Sequence, residues 1–203
     1  MFPLGTVHFP HALLPLHVFE PRYRALVQRC VAGEPEFGVV LIERGSEVGG
    51  GDTRFAVGTL TEIVQVAELP DGRYVLVTAG RHRIRVEEWL SDDPYPRARV
   101  AVAADVTGAA TADDGIDLRD RVQRELQRVR ALRSELGEPV GDGELGLDPD
   151  PVRASFEAAA AAPITALDAQ RLLELDDATE RLVRLHALLV DDAAVLRHRL
   201  SNG

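Results

Sequence analysis

The side chains of this chain best suited to chemistry are six histidines, one cysteine and a row of alternating arginines. His8, His11 and His17 lie close together, and three such imidazoles are what a zinc ion would take as ligands. Their surroundings argue against it. His8 and His11 flank Pro10, the nearest acid, Glu20, lies beyond a predicted strand, and no cysteine pair is at hand. His82, His186 and His198 are scattered. The single Cys30 cannot form an internal disulfide, and it falls on the apolar face of a predicted helix with no activating partner, so it reads as a buried structural thiol. Serine is sparse, and no Gly-x-Ser-x-Gly elbow occurs; Gly45-Ser46-Glu47-Val48-Gly49 has glutamate at its centre and reads as a hairpin tip. No Gly-x-Gly-x-x-Gly follows a predicted strand. No catalytic, cofactor-binding or metal-ligating residue is therefore assigned, and no cofactor is expected.

Two further reaction classes fall on elementary grounds. A P-loop ATPase needs a lysine to meet the β- and γ-phosphates, and a serine-lysine peptidase needs one to activate its nucleophile. All 23 residues in the Lys+Arg total are arginine. Arginine stays protonated up to a pKa above roughly 12, so it cannot take the place of the general base.

The net charge is −10. Up to and including Asp105 there are 11 arginines against 14 acids, and beyond it 12 against 19, or −3 and −7. Nucleic acid is a poor partner for such a balance. One local exception is Arg81, Arg83 and Arg85, which alternate with His82, Ile84 and Val86 and would line one face of an extended strand. The competing reading pairs them with Glu43, Glu62, Glu87 or Glu88 on neighbouring strands.

The elements that must position these residues divide the chain in two. Extended runs are predicted at 4–9, 14–19, 37–44, 55–69, 73–79, 84–89 and 97–104, most of them rich in Val, Ile, Thr and aromatics. Pro21 opens a helix to about Val31, and Pro70-Asp71-Gly72 makes a hairpin turn. Residues 37–42 are apolar at nearly every position, as in a strand covered on both faces of a closed or nearly closed barrel. Gly49-Gly50-Gly51-Asp52 marks a looser excursion, 107–111 a connector, and 135–150 a solvated acidic loop. Helices are predicted at 113–136, 149–162, 165–175 and 177–200, Asp148-Pro149 opening the second and Asp177 with Glu180 capping the last. The expected fold is α+β, a β-rich domain at 1–106 followed by a helical domain at 107–203. No segment approaches the ~20 apolar residues of a membrane helix, and no secretory signal is visible, so a cytoplasmic location and no membrane partner are expected.

Phe2-Pro3-Leu4, Leu14-Pro15-Leu16 and Phe19-Glu20-Pro21-Arg22-Tyr23, then Gly58-Thr59, Asp71-Gly72 and Gly80-Arg81-His82-Arg83-Ile84, occur in an order that resembles the Lon protease amino-terminal domain. Gln170-Arg171-Leu172-Leu173 and Glu180-Arg181-Leu182 resemble its helical part. The resemblance implies a PUA-like pseudo-barrel followed by a helical bundle, in a stand-alone form without the ATPase and peptidase domains. It implies a non-catalytic module that binds unfolded or specific protein clients or peptides, a homodimer being allowed. Such a surface would offer exposed aromatics and unpaired strand edges, the candidates being Phe55, Tyr74, Trp89 and Tyr95. The alternative is an RNA-binding PUA-like module using Arg81, Arg83 and Arg85; a small-molecule pocket ranks third.

Overall fold

The computed structural model describes residues 1–45, 47, 51–108, 112–140 and 146–202, with 112–117 through their backbone only. The expected hairpin tip at 45–49, the glycine run at 49–52, the connector at 107–111 and the acidic loop at 135–150 fall partly outside the described residues. The chain is an α+β protein that divides into two compact units, Met1–Ala104 and Asp105–Gly203. Among the described residues, no helix is long and apolar enough to cross a membrane.

The first unit is a mixed six-stranded sheet with one helix. Its strands are β1 (Phe2–Leu4), β2 (Leu13–Val18), β3 (Glu36–Arg44), β4 (Thr53–Glu68), β5 (Tyr74–Leu90) and β6 (Arg97–Val102), in the order β1-β3-β4-β5-β2, with β6 pairing β5. All pairings are antiparallel except β1 with β3. Phe37 to Leu41 of β3 are buried without alternation, which is what a strand covered on both faces requires. Helix α1 (Pro21–Ala32) begins as proline chemistry dictates: Glu20 is extended and Pro21 occupies the first turn. Tyr23, Leu26, Val27 and Cys30 form its buried stripe, and the Phe2 ring stacks on Tyr23 at 4.2 Å, fastening β1 to the helix.

Strand β5 corrects the expected break between 79 and 84, since it runs unbroken through Gly80. A bulge there, between Thr61↔Gly80 and Leu60↔His82, leaves Arg81 as the extra residue. Gly80 is required because a Cβ would lie 2.2 Å from the carbonyl oxygen of Phe9, whose segment crosses the bulge. Backbone bonds His11 N–H to Gly80 O (2.9 Å) and Gly80 N–H to Ala12 O (3.0 Å) hold that crossing. At the other end of the hairpin, Gly72 adopts φ 77° to complete the turn.

The second unit contains α2 (Ala112–Glu135), α3 (Pro151–Ala161), α4 (Ala166–Glu174) and α5 (Ala178–Asn202), with α5 packed against the other three. Leu118, Val122, Leu126 and Val129 of α2 and Leu182, Leu185, Leu189 and Leu196 of α5 are buried, following the predicted helical spacing. Helix α3 starts two residues later than expected: its cap is Asp150, whose carboxylate accepts from Arg153 N–H at 2.8 Å. Thr165 caps α4 and Asp177 caps α5 through side-chain acceptance from Asp168 and Thr179. Arg181 is fully buried, paired with Asp105 at 2.8 Å, donating to Ser155 Oγ and Leu172 O, and lying 3.9 Å over the Phe156 ring. This one guanidinium ties α5 to α3, α4 and the start of the unit.

Candidate functional site

The last turn of α1, the first residues of β3 and the β5–β6 corner enclose an open cleft of about 540 Å³. Its floor is apolar: Leu26, Phe37 and Tyr95 are buried, and Met1 closes the back. Leu90, the last residue of β5, is exposed at the rim. Arg29, Arg97, Glu34 and Glu36 add both signs of charge around the mouth. Cys30 also lines it, but its thiol donates to the Glu36 carbonyl at 3.4 Å, and burial pushes its pKa up. A thiol held protonated is a poor nucleophile.

A second, smaller pocket of about 170 Å³ lies along the seam between β1 and β2. Phe2, Leu16, Val18 and Tyr23 form its buried lining, while Phe19 is 54% exposed beside it. Among the described residues no strand pairs with the outer edges of β1 or β2, the two ends of the sheet path. Each carries a proline, Pro3 and Pro15, which cannot donate a backbone hydrogen bond to an added strand. Each of these two edges therefore lacks one backbone donor.

Of the seven residues proposed for an interaction surface, three are buried. Tyr74 and Tyr95 belong to the core cluster, although Tyr95 also reaches the cleft floor. Arg83 is fully buried and donates to Ala104 O at 2.7 Å, tying down the chain beyond β6. Phe55 is half-buried, and so is Trp89, whose ring is covered by Arg54 at 4.9 Å. Arg81 and Arg85 remain exposed, with Arg81 paired to Glu62. The bulge takes Arg81 out of alternation with Arg83 and Arg85, and Arg83 is buried, so the three arginines do not form one open ladder. Leu90, Arg29 and Arg97 were not singled out; the one sequence signal for the cleft is an apolar residue two positions before the Asp92-Asp93-Pro94 break.

Among the described residues, no three His, Cys, Asp or Glu side chains are grouped as a metal site. His8 is buried against Thr61 Oγ1 at 3.2 Å.

A model of the ATP-dependent protease La (LON) substrate-binding domain matches residues 1–191. The chain belongs to the LON substrate-binding domain family. It is 28% identical over 195 residues to a Lon protease of Cytophaga hutchinsonii, covering 95% of this chain but 24% of that protein. It is 23% identical to a LON peptidase N-terminal domain and RING finger protein of Schizosaccharomyces pombe, covering 89% of this chain and 42% of that one. Among solved structures, a Lon N-terminal domain protein from Xanthomonas campestris superposes with a TM-score of 0.63 at 25% identity, covering 92% of this chain and 95% of the other. The N-terminal domain of a Mycobacterium avium complex Lon protease shares the fold with a TM-score of 0.62 at 19% identity over 95% and 96% of the two chains. The similarity is thus to the substrate-binding part of Lon proteins, and the chain spans about a quarter of the Cytophaga relative. The residues on which the sequence resemblance rests have physical roles here: Pro3 and Pro15 sit in the terminal strands, Pro21 starts α1, Gly80 admits the crossing segment and Arg181 anchors α5.

Proposed function

We propose that this chain is a non-catalytic interaction module that binds unfolded or specific client polypeptides through the cleft beside α1. The observation that carries this reading is the open, apolar-floored cleft with Leu90 at its rim and Arg29, Arg97, Glu34 and Glu36 around it. Its volume of about 540 Å³ exceeds what one side chain fills, and mixed charge suits polypeptides of varied sequence. Membership of a substrate-binding family supports it. Lack of lysine supports the absence of both P-loop and serine-lysine chemistry from these 203 residues. We further read the sheet as a PUA-like pseudo-barrel and α2–α5 as a helical bundle, each unit folding as a domain, in a cytoplasmic protein.

The test is titration of the labelled, denatured form of a model protein, and of single-stranded RNA, at two salt concentrations. Saturable binding of the polypeptide, weakened in Leu90→Glu and in Ala98→Trp, a substitution at a further residue lining the cleft, is expected, with no release of peptide fragments and no ATP consumption. Salt-sensitive RNA binding without polypeptide binding would reverse the reading.

A further inference from the structure

The seam pocket between β1 and β2 is separate from the cleft, and its size, lining and charge define a narrower ligand. We propose that it takes one leucyl- or phenyl-sized side chain of a client segment whose neighbouring residues are lysine or arginine. This rests on the client-binding reading above and adds a second contact with its own sequence preference.

Size comes first. An apolar cavity of about 150 Å³ holds a benzene molecule, so a volume of about 170 Å³ admits one ring or one branched aliphatic group and little more. The buried part of the lining, Phe2, Leu4, Leu16, Val18 and Tyr23, is largely apolar, His17, Glu20 and Glu47 add polar surface, and the exposed Phe19 ring offers further area that a bound side chain would remove from water.

The rim then sets the sign of the charge it favours. Glu20 and Glu47 both border the pocket. One cation serves them: Arg22 Nε bonds the Glu20 carboxylate at 3.1 Å, while Arg22 Nη2 donates to the backbone carbonyl of Glu47 at 3.1 Å. The Glu47 carboxylate accepts from the Gly5 amide, and among the described residues it has no cationic partner. The rim therefore keeps one uncompensated negative charge at the edge of an apolar hole. A lysine or arginine next to the inserted side chain would meet it; an aspartate or glutamate would be repelled.

Side-chain recognition is favoured here, because Pro3 and Pro15 each remove one backbone donor from the flanking strands. That separates this site from strand-addition grooves and ties its selectivity to one anchor and its charged neighbours.

The experiment measures fluorescence polarisation of two labelled peptides on the full chain, both with one central leucine, one flanked by lysines and the other by glutamates. On the wild-type chain the lysine-flanked peptide binds about tenfold tighter at low ionic strength, and the gap closes with added salt. Glu47→Gln, which keeps an acceptor for Gly5, narrows that gap about threefold; Phe19→Ala weakens both peptides. Both substitutions lie at solvent-facing positions, and unchanged Trp89 fluorescence verifies folding. Equal affinity for the two peptides, or binding unmoved by Phe19→Ala and Glu47→Gln but lost in Leu90→Glu, overturns the seam site and leaves the cleft reading standing. Binding of neither peptide and of no denatured polypeptide overturns both.

Discussion

His8 is 4% exposed, its Nε2 faces Thr61 Oγ1 at 3.2 Å, and its carbonyl accepts the Thr59 hydroxyl. Burial pushes its pKa down from 6.5 to about 4. The unfolded chain protonates near pH 6.5, whereas the folded chain resists until about pH 4, so the neutral buried ring contributes stability that is whole above pH 6.5 and is lost as pH falls through that window. At pH 5 the loss works out at about 2 kcal/mol, approaching about 3 kcal/mol below pH 4. His8→Gln keeps a polar partner for Thr61 and removes the titration. Urea unfolding at pH 7.5 and pH 5, followed through Trp89, the one tryptophan and a residue of the first unit, reads the effect. The wild type should lose about 2 kcal/mol more than the variant on moving between these pH values. Identical losses in both proteins would show that His8 is not held neutral by burial.

Gly80→Ala would force a Cβ to within 2.2 Å of Phe9 O and should lower first-unit stability by about 2–4 kcal/mol, read by the same urea titration. Arg181→Met removes the guanidinium that bonds Asp105, Ser155 Oγ and Leu172 O from a buried network, and should cost about 3–5 kcal/mol in the second unit, measured by the loss of helical circular dichroism on heating. Asp150→Ala removes one cap and should cost about 1 kcal/mol, seen as faster amide exchange in the first turn of α3.

Where local chemistry alone decides, the sequence sufficed. Pro21 after an extended Glu20 placed α1, Asp71-Gly72 placed the hairpin turn, and the leucine spacing of α5 placed its buried stripe. Sequence reasoning went astray where a distant segment intervenes. At the bulge beside Gly80, residues 9–12 cross the strand, a contact over about seventy positions that no period in β5 reveals; the bulge takes Arg81 out of step with Arg83 and Arg85, and of those two only Arg83 is buried. Two of the aromatic candidates are buried for a related reason: Tyr74 and Tyr95 look the same as surface tyrosines in sequence, and packing into the core cluster with residues of α1 and β3 covers them. The cleft was illegible because its wall comes from three stretches far apart in the chain, Met1, 26–37 and 90–98. Its charged rim reads in sequence as ordinary solvated residues.

The most direct measurement is the binding isotherm of a denatured polypeptide on the wild-type chain and on Leu90→Glu, with RNA as the parallel ligand. Saturable polypeptide binding that drops at least about fivefold in the variant, with no cleavage of the bound chain, is the predicted result. An isotherm indifferent to Leu90→Glu and to the bulky Ala98→Trp, or turnover of any ligand abolished by changing one of this chain's own side chains, would contradict it.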